Sequence, residues 1–165
     1  MSSSAILLQP AQPLRTIVTA GVLAGVLDGL DAVLVITALA NVSAVRVFQF
    51  IASGLIGVQS FRGGIATAFL GVLLHFTIAM GAAATFYCAS LQLPFLLRRP
   101  LLWGPLYGVA VFLFMHYVVV PLSSAPKQPP ASPASILNLL FSHIFFVGLP
   151  IALITSRSAH KITAE

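Results

Sequence analysis

Long apolar runs alternate with short polar punctuation along this chain. Four runs, about Thr16 to Ala40, Gly64 to Gln92, Leu101 to Pro121 and Ile136 to Ser156, are long enough to cross a bilayer as helices. A hydrocarbon core of about 30 Å needs about 20 residues at 1.5 Å per residue. The pattern therefore predicts an all-α protein: an integral membrane bundle of four transmembrane helices in a single domain, 1–165.

The segment Ser43 to Val58 follows a different pattern. Arg46, Gln49, Ser53 and Gly57 recur at spacings of three and four, with Val47, Phe48, Phe50, Ile51 and Leu55 filling the other side. That periodicity predicts an amphipathic interfacial helix with Ser43 as its N-cap. Its place is flat in the interface or tucked over the mouth of the bundle, with a partly inserted re-entrant piece as the alternative. Leu122 to Ser135 is rich in proline and serine and reads as an extended linker without a site of its own.

Composition fixes the broad class. Hydrophobic residues make up 59% of the chain and charged residues 7%, against roughly 25% charged in soluble domains. Such a chain cannot cover a water-facing surface. Its net charge of +5 would suggest nucleic acid in a soluble protein. Here the basic residues sit at the ends of apolar runs, which makes the lipid bilayer, and not nucleic acid, the expected partner. Arg15, Arg98, Arg99, Arg157 and Lys161 fall on one side; Arg46, Arg62 and Lys127 fall on the other. The excess places both termini in the cytoplasm. The first run is too long for a signal-peptide core and carries two acids, so it reads as a retained helix. A single cysteine, Cys88, excludes a disulfide within one chain.

Those two acids, Asp28 and Asp31, are the most informative residues. An acid at bilayer depth costs about 2.5–3.5 kcal/mol. The twelve Val, Leu and Ile residues of the first run return only about 4–7 kcal/mol on the same scale. The helix therefore needs partners for its acids. Gly21, Gly25 and Gly29 recur at every fourth position and invite close approach of another backbone. At about 100° per residue, Asp28 lies within about 20° of Gly21 and so points into that contact.

The second long run offers a matching stripe: Gly64, Ala68, Gly71, His75, Ala79 and Ala82. Packed against the glycines, it brings His75 to the depth of Asp28 and Asp31. An Asp–His contact there could move a proton, ligate a metal or simply hold two helices together. His143 is a third candidate in the same half, whereas His116 reads as nearer the surface. No zinc spacing, phosphate loop, nucleophile elbow or haem-attachment motif occurs. The expectation is a non-enzymatic protein with a polar intramembrane site at Asp28, Asp31, His75 and His143, passing or sensing protons or a cation. Two alternatives stay open: a scaffold or accessory subunit, alone as a homo-oligomer or in a larger membrane complex, and a redox subunit holding haem or quinone through histidines.

A weak internal repeat accompanies this pattern. Gly21-x-x-x-Gly25 opens the first run and Gly104-x-x-x-Gly108 the third, while His75 with Gly81 and His143 with Gly148 mark the second and fourth. Four short stretches also carry a resemblance: Gly21-Val-Leu-Ala-Gly25-Val-Leu-Asp28, Ile51-Ala-Ser-Gly54-Leu-Ile-Gly57, Leu74-His75-Phe76 and Tyr117-Val-Val-Val-Pro121-Leu-Ser123. In these the chain resembles uncharacterised four-helix inner-membrane proteins of bacteria. The resemblance implies a multi-pass bacterial inner-membrane protein, with Asp28, the segment around Gly54 and His75 as the positions to test. It implies no mechanism.

Overall fold

The computed structural model describes residues 6–10, 12–127 and 132–163. Pro129 and Pro130 of the proline-rich loop, and the C-terminal Glu165, lie outside the described residues. The described chain is helical apart from one short ribbon. Among the described residues, five helices are long and apolar enough to cross a membrane. They are α1 (Pro13–Ala40), α2 (Ala44–Ile56) with a 3-10 extension Gly57–Arg62, α3 (Gly64–Gln92), and, after the single turn α4 (Phe95–Arg98), α5 (Pro100–Leu122) and α6 (Pro133–Arg157). An antiparallel ribbon pairs Ile6–Pro10 with Ala159–Thr163, so the start of α1 and the end of α6 lie together.

Local chemistry sets the boundaries. Proline occupies the first turn of α1, α5 and α6, where its missing N–H has no helical partner to lose. Asn41 ends α1 in the left-handed region at φ 52°, a conformation asparagine tolerates. Ser43 caps α2 by accepting from the Arg46 backbone N–H at 3.4 Å. Gly57 closes α2 at φ 63°, where a side chain would be strained.

Two stretches widen into π-helix, Met115–Val119 in α5 and His143–Gly148 in α6. Each precedes a proline, Pro121 and Pro150. A proline ring cannot bond the carbonyl four residues back and crowds it, and a wider turn relieves both problems.

The bundle is packed from small and polar residues and coated with large apolar ones. Ala20, Ala24, Ala83, Phe86, Val147, Ile151 and Ala152 form the buried core. Ser53, Ser60, Ser90, Ser142 and Thr155 are also buried. Ile65, Phe69, Leu101 and Leu137 point outward, with Ile65 78% exposed. In water such a surface would aggregate; in lipid it is the expected face, and close backbone packing replaces the hydrophobic drive between helices.

Glycines mark the close crossings. A Cβ on Gly21 would lie 2.8 Å from Met80 Cα, one on Gly25 2.8 Å from the Phe76 ring, and one on Gly29 3.1 Å from His75 Nε2. So α1 and α3 run antiparallel with their glycine face in contact. Gly71 does not join this contact. It lies against the backbone of Phe48 in α2, which corrects the expectation that it packs on α1. The stripe of α3 is divided: its His75–Met80 portion serves α1, and Gly71 lets α2 cross. In the other half, Gly104 and Gly108 interlock with the backbone at His143, Gly148 and Leu149, so each glycine pair meets a histidine-bearing helix.

The helix α2 packs against α3 and meets α1 and the chain after α5. It starts beside the end of α1, crosses α3 at Gly71, and reaches the end of α5, where the Ser124 N–H donates to the Gly54 carbonyl at 2.9 Å. Its polar stripe is split. Arg46 is exposed, but Gln49 and Ser53 are buried, and Gln49 Nε2 donates to the Gly64 carbonyl at 3.0 Å. Leu55 and Val58, both 60% exposed, face outward. A helix lying flat would turn its polar side to water; this one turns much of it inward. Ser123, Ser124 and Pro126 also dock here, so the start of the proline-rich loop is not the free linker its composition suggests.

Candidate functional site

Both acids of α1 meet α6. Ser142 Oγ donates to Asp28 Oδ1 at 2.7 Å, and Asn138 Nδ2 donates to Asp31 Oδ2 at 3.1 Å. Asp28 to Asp31 is one turn of α1, and Asn138 to Ser142 is one turn of α6. The two bonds thus form a ladder between antiparallel helices. Neither donor was singled out from the sequence, although Asn138 and Ser142 are polar residues one turn apart in an apolar helix, a readable signal.

His75 does not bond Asp28 in this ladder. Its Nε2–H donates to the Gly25 carbonyl at 2.8 Å, and no hydrogen bond joins Asp28 to His75 among the described residues. A carbonyl only accepts, so this bond places the proton on Nε2 and leaves Nδ1 of the neutral ring with its lone pair. The expected direct Asp–His pair is therefore corrected: the glycines bring α1 so close that its backbone reaches the imidazole first. His75 is further held edge-on to Phe48 and Phe76. His143, buried, likewise donates from Nδ1 to the Leu139 carbonyl at 2.8 Å.

Two cavities meet at these residues. An inner one of about 240 Å³ lies between α1, α3, α5 and α6 under α2, and Asp28, His75, His116 and His143 line it. An outer one of about 640 Å³ opens between α1, α2 and the loop, with Asp28 and His75 again in its wall, and with Arg46, Phe48, Phe61 and Pro126. Asp28 and His75 line both; Asp31 lines neither. Both π-helical stretches contribute to the inner cavity, through Met115 and His116 and through His143 and Val147. Such stretches recur at functional positions because they re-aim side chains. His116, read from the sequence as peripheral, is turned inward there; it stacks on Phe112, which also meets the His143 ring.

Among the described residues no group of three or more His, Cys, Asp or Glu side chains is placed to hold a metal ion.

The fold and this polar interior define a helical protein with several apolar, membrane-type helices. No protein-family model, curated protein or solved structure matches the chain.

Proposed function

We propose that the chain is a four-span protein of the bacterial inner membrane with both termini cytoplasmic, whose Asp28 site binds and senses protons or a small cation. The observation that carries this is the meeting of two cavities at Asp28 and His75. The buried cluster around Ala20, Ala24, Val147 and Ile151 closes the bundle on the terminal side of the site. An acid reached from one face and sealed from the other suits binding and sensing better than continuous passage. Four crossings are supported by the antiparallel packing of α1 on α3, which puts the end of α1 and the start of α3 on one side, so that α2 and its extension begin and end there. The basic-residue split and the resemblance stated above support the orientation and the compartment.

Infrared difference spectroscopy on the purified protein tests this reading. Titration should protonate a carboxyl group whose band disappears in Asp28→Asn and persists in Asp31→Asn. An identical titration in Asp28→Asn would refute it.

A second reading, a scaffold or accessory subunit, is favoured by the Ser142–Asp28 and Asn138–Asp31 bonds. They give both acids a purely structural use. In that case Asp28→Asn keeps the fold and every phenotype, since an amide still accepts from Ser142.

A further inference from the structure

We infer that the outer cavity is a binding site for an organic ammonium ion, its charged head at Asp28 and its apolar body against Phe48 and Phe50. This rests on the reading of Asp28 as a cation-binding carboxylate and names the class of cation. Size is the first argument. A proton or bare metal ion needs no chamber, yet this one holds about 640 Å³, within the roughly 300–1,000 Å³ of small-molecule sites.

Hydrogen-bonding capacity is the second. Ser142 occupies Asp28 Oδ1 and leaves Oδ2 without a partner among the described residues. The Gly25 carbonyl takes the Nε2–H of His75, so that donor is not available to an anion. The open carboxylate oxygen of Asp28 suits a cationic head and repels an anion.

The third argument is the wall. Phe48, Phe50 and Phe61 line the cavity, and aromatic faces attract cations. One such contact is already made: the Arg46 guanidinium carbon sits 4.2 Å from the Phe61 ring centroid. Arg46 is exposed at the rim, where water and salt screen it. It competes with a ligand for the wall but does not reverse the sign of the interior.

Isothermal titration of the purified full chain in a non-ionic detergent, with benzyltrimethylammonium as probe, tests this. The expected result is saturable binding to a single site. Asp28→Asn should weaken it by about tenfold or more, and Arg46→Gln should strengthen it by a few fold, as expected for removing an attractive and a repulsive charge. The uncharged isostere neopentylbenzene should fail to displace the probe. Ala32→Phe fills the outer cavity and leaves Asp28 in place, so it should abolish probe binding and keep the infrared titration of Asp28. Displacement by neopentylbenzene, or unchanged binding in Asp28→Asn, would overturn the proposal. Absence of probe binding with the Asp28 titration intact would overturn the organic cation and leave the proton site standing; absence of both would remove the site itself.

Discussion

Ser142 in α6 donates its hydroxyl to Asp28 in α1 across 2.7 Å and 114 positions of sequence. This bond, not an imidazole, is what satisfies the acid in the apolar helix α1. Ser142→Ala removes the donor and leaves the half-buried Asp28 Oδ1 without a partner. Polar contacts between membrane helices average about 0.6 kcal/mol and reach about 1.7. Thermal unfolding in detergent should therefore show a small loss of stability for Ser142→Ala. A large loss would mean that the hydroxyl has a further partner.

The glycines give a sharper contrast. Gly71 is pressed against the Phe48 backbone, whereas a Cβ on Gly81 would meet nothing within 4 Å. Gly71→Ala should displace α2 and cost about 1–3 kcal/mol, the usual range for overpacking. Gly81→Ala should be neutral or stabilise by up to about 1 kcal/mol through helix propensity. Comparable Tm changes in the two variants would contradict this packing.

Asp31 and Asp28 should separate functionally. Asp31 lines neither cavity and is bonded to Asn138. Asp31→Asn should preserve any transport or sensing phenotype that Asp28→Asn abolishes, with expression equal in both. If Asp31→Asn is the inactive variant, the site has been placed one turn too deep.

Orientation rests on the positions of the arginines and lysines. Reporter fusions at the C-terminus and at Lys127 should report opposite compartments, cytoplasmic and periplasmic respectively. A periplasmic C-terminus would reverse the orientation and the face from which Asp28 is reached.

Sequence made the helical, membrane-type character and the importance of Asp28 legible, because an acid in an apolar run needs a physical explanation wherever it lies. Partner choice was not legible. Hydropathy places His75 at the depth of Asp28, but depth alone does not say that the Gly25 carbonyl intercepts the imidazole, nor that Gly71 serves α2. These depend on how closely two backbones approach, which glycines permit but do not specify. His116 was misplaced for a related reason. A wheel drawn at 100° per residue fails where α5 widens before Pro121, and the π turn swings the ring toward the inner cavity. The inward turn of Gln49 and Ser53 was hidden as well, since periodicity reveals a polar face without saying which way it points.

The central claim is that Asp28 is reached from the α2 end and sealed from the terminal end. Its most direct test is infrared difference spectroscopy on oriented proteoliposomes with the pH changed on one side at a time. The Asp28 carboxyl band should respond to pH on the α2 side and stay unchanged when only the side of the terminal ribbon is acidified. A response from the ribbon side, or none from either, would contradict it.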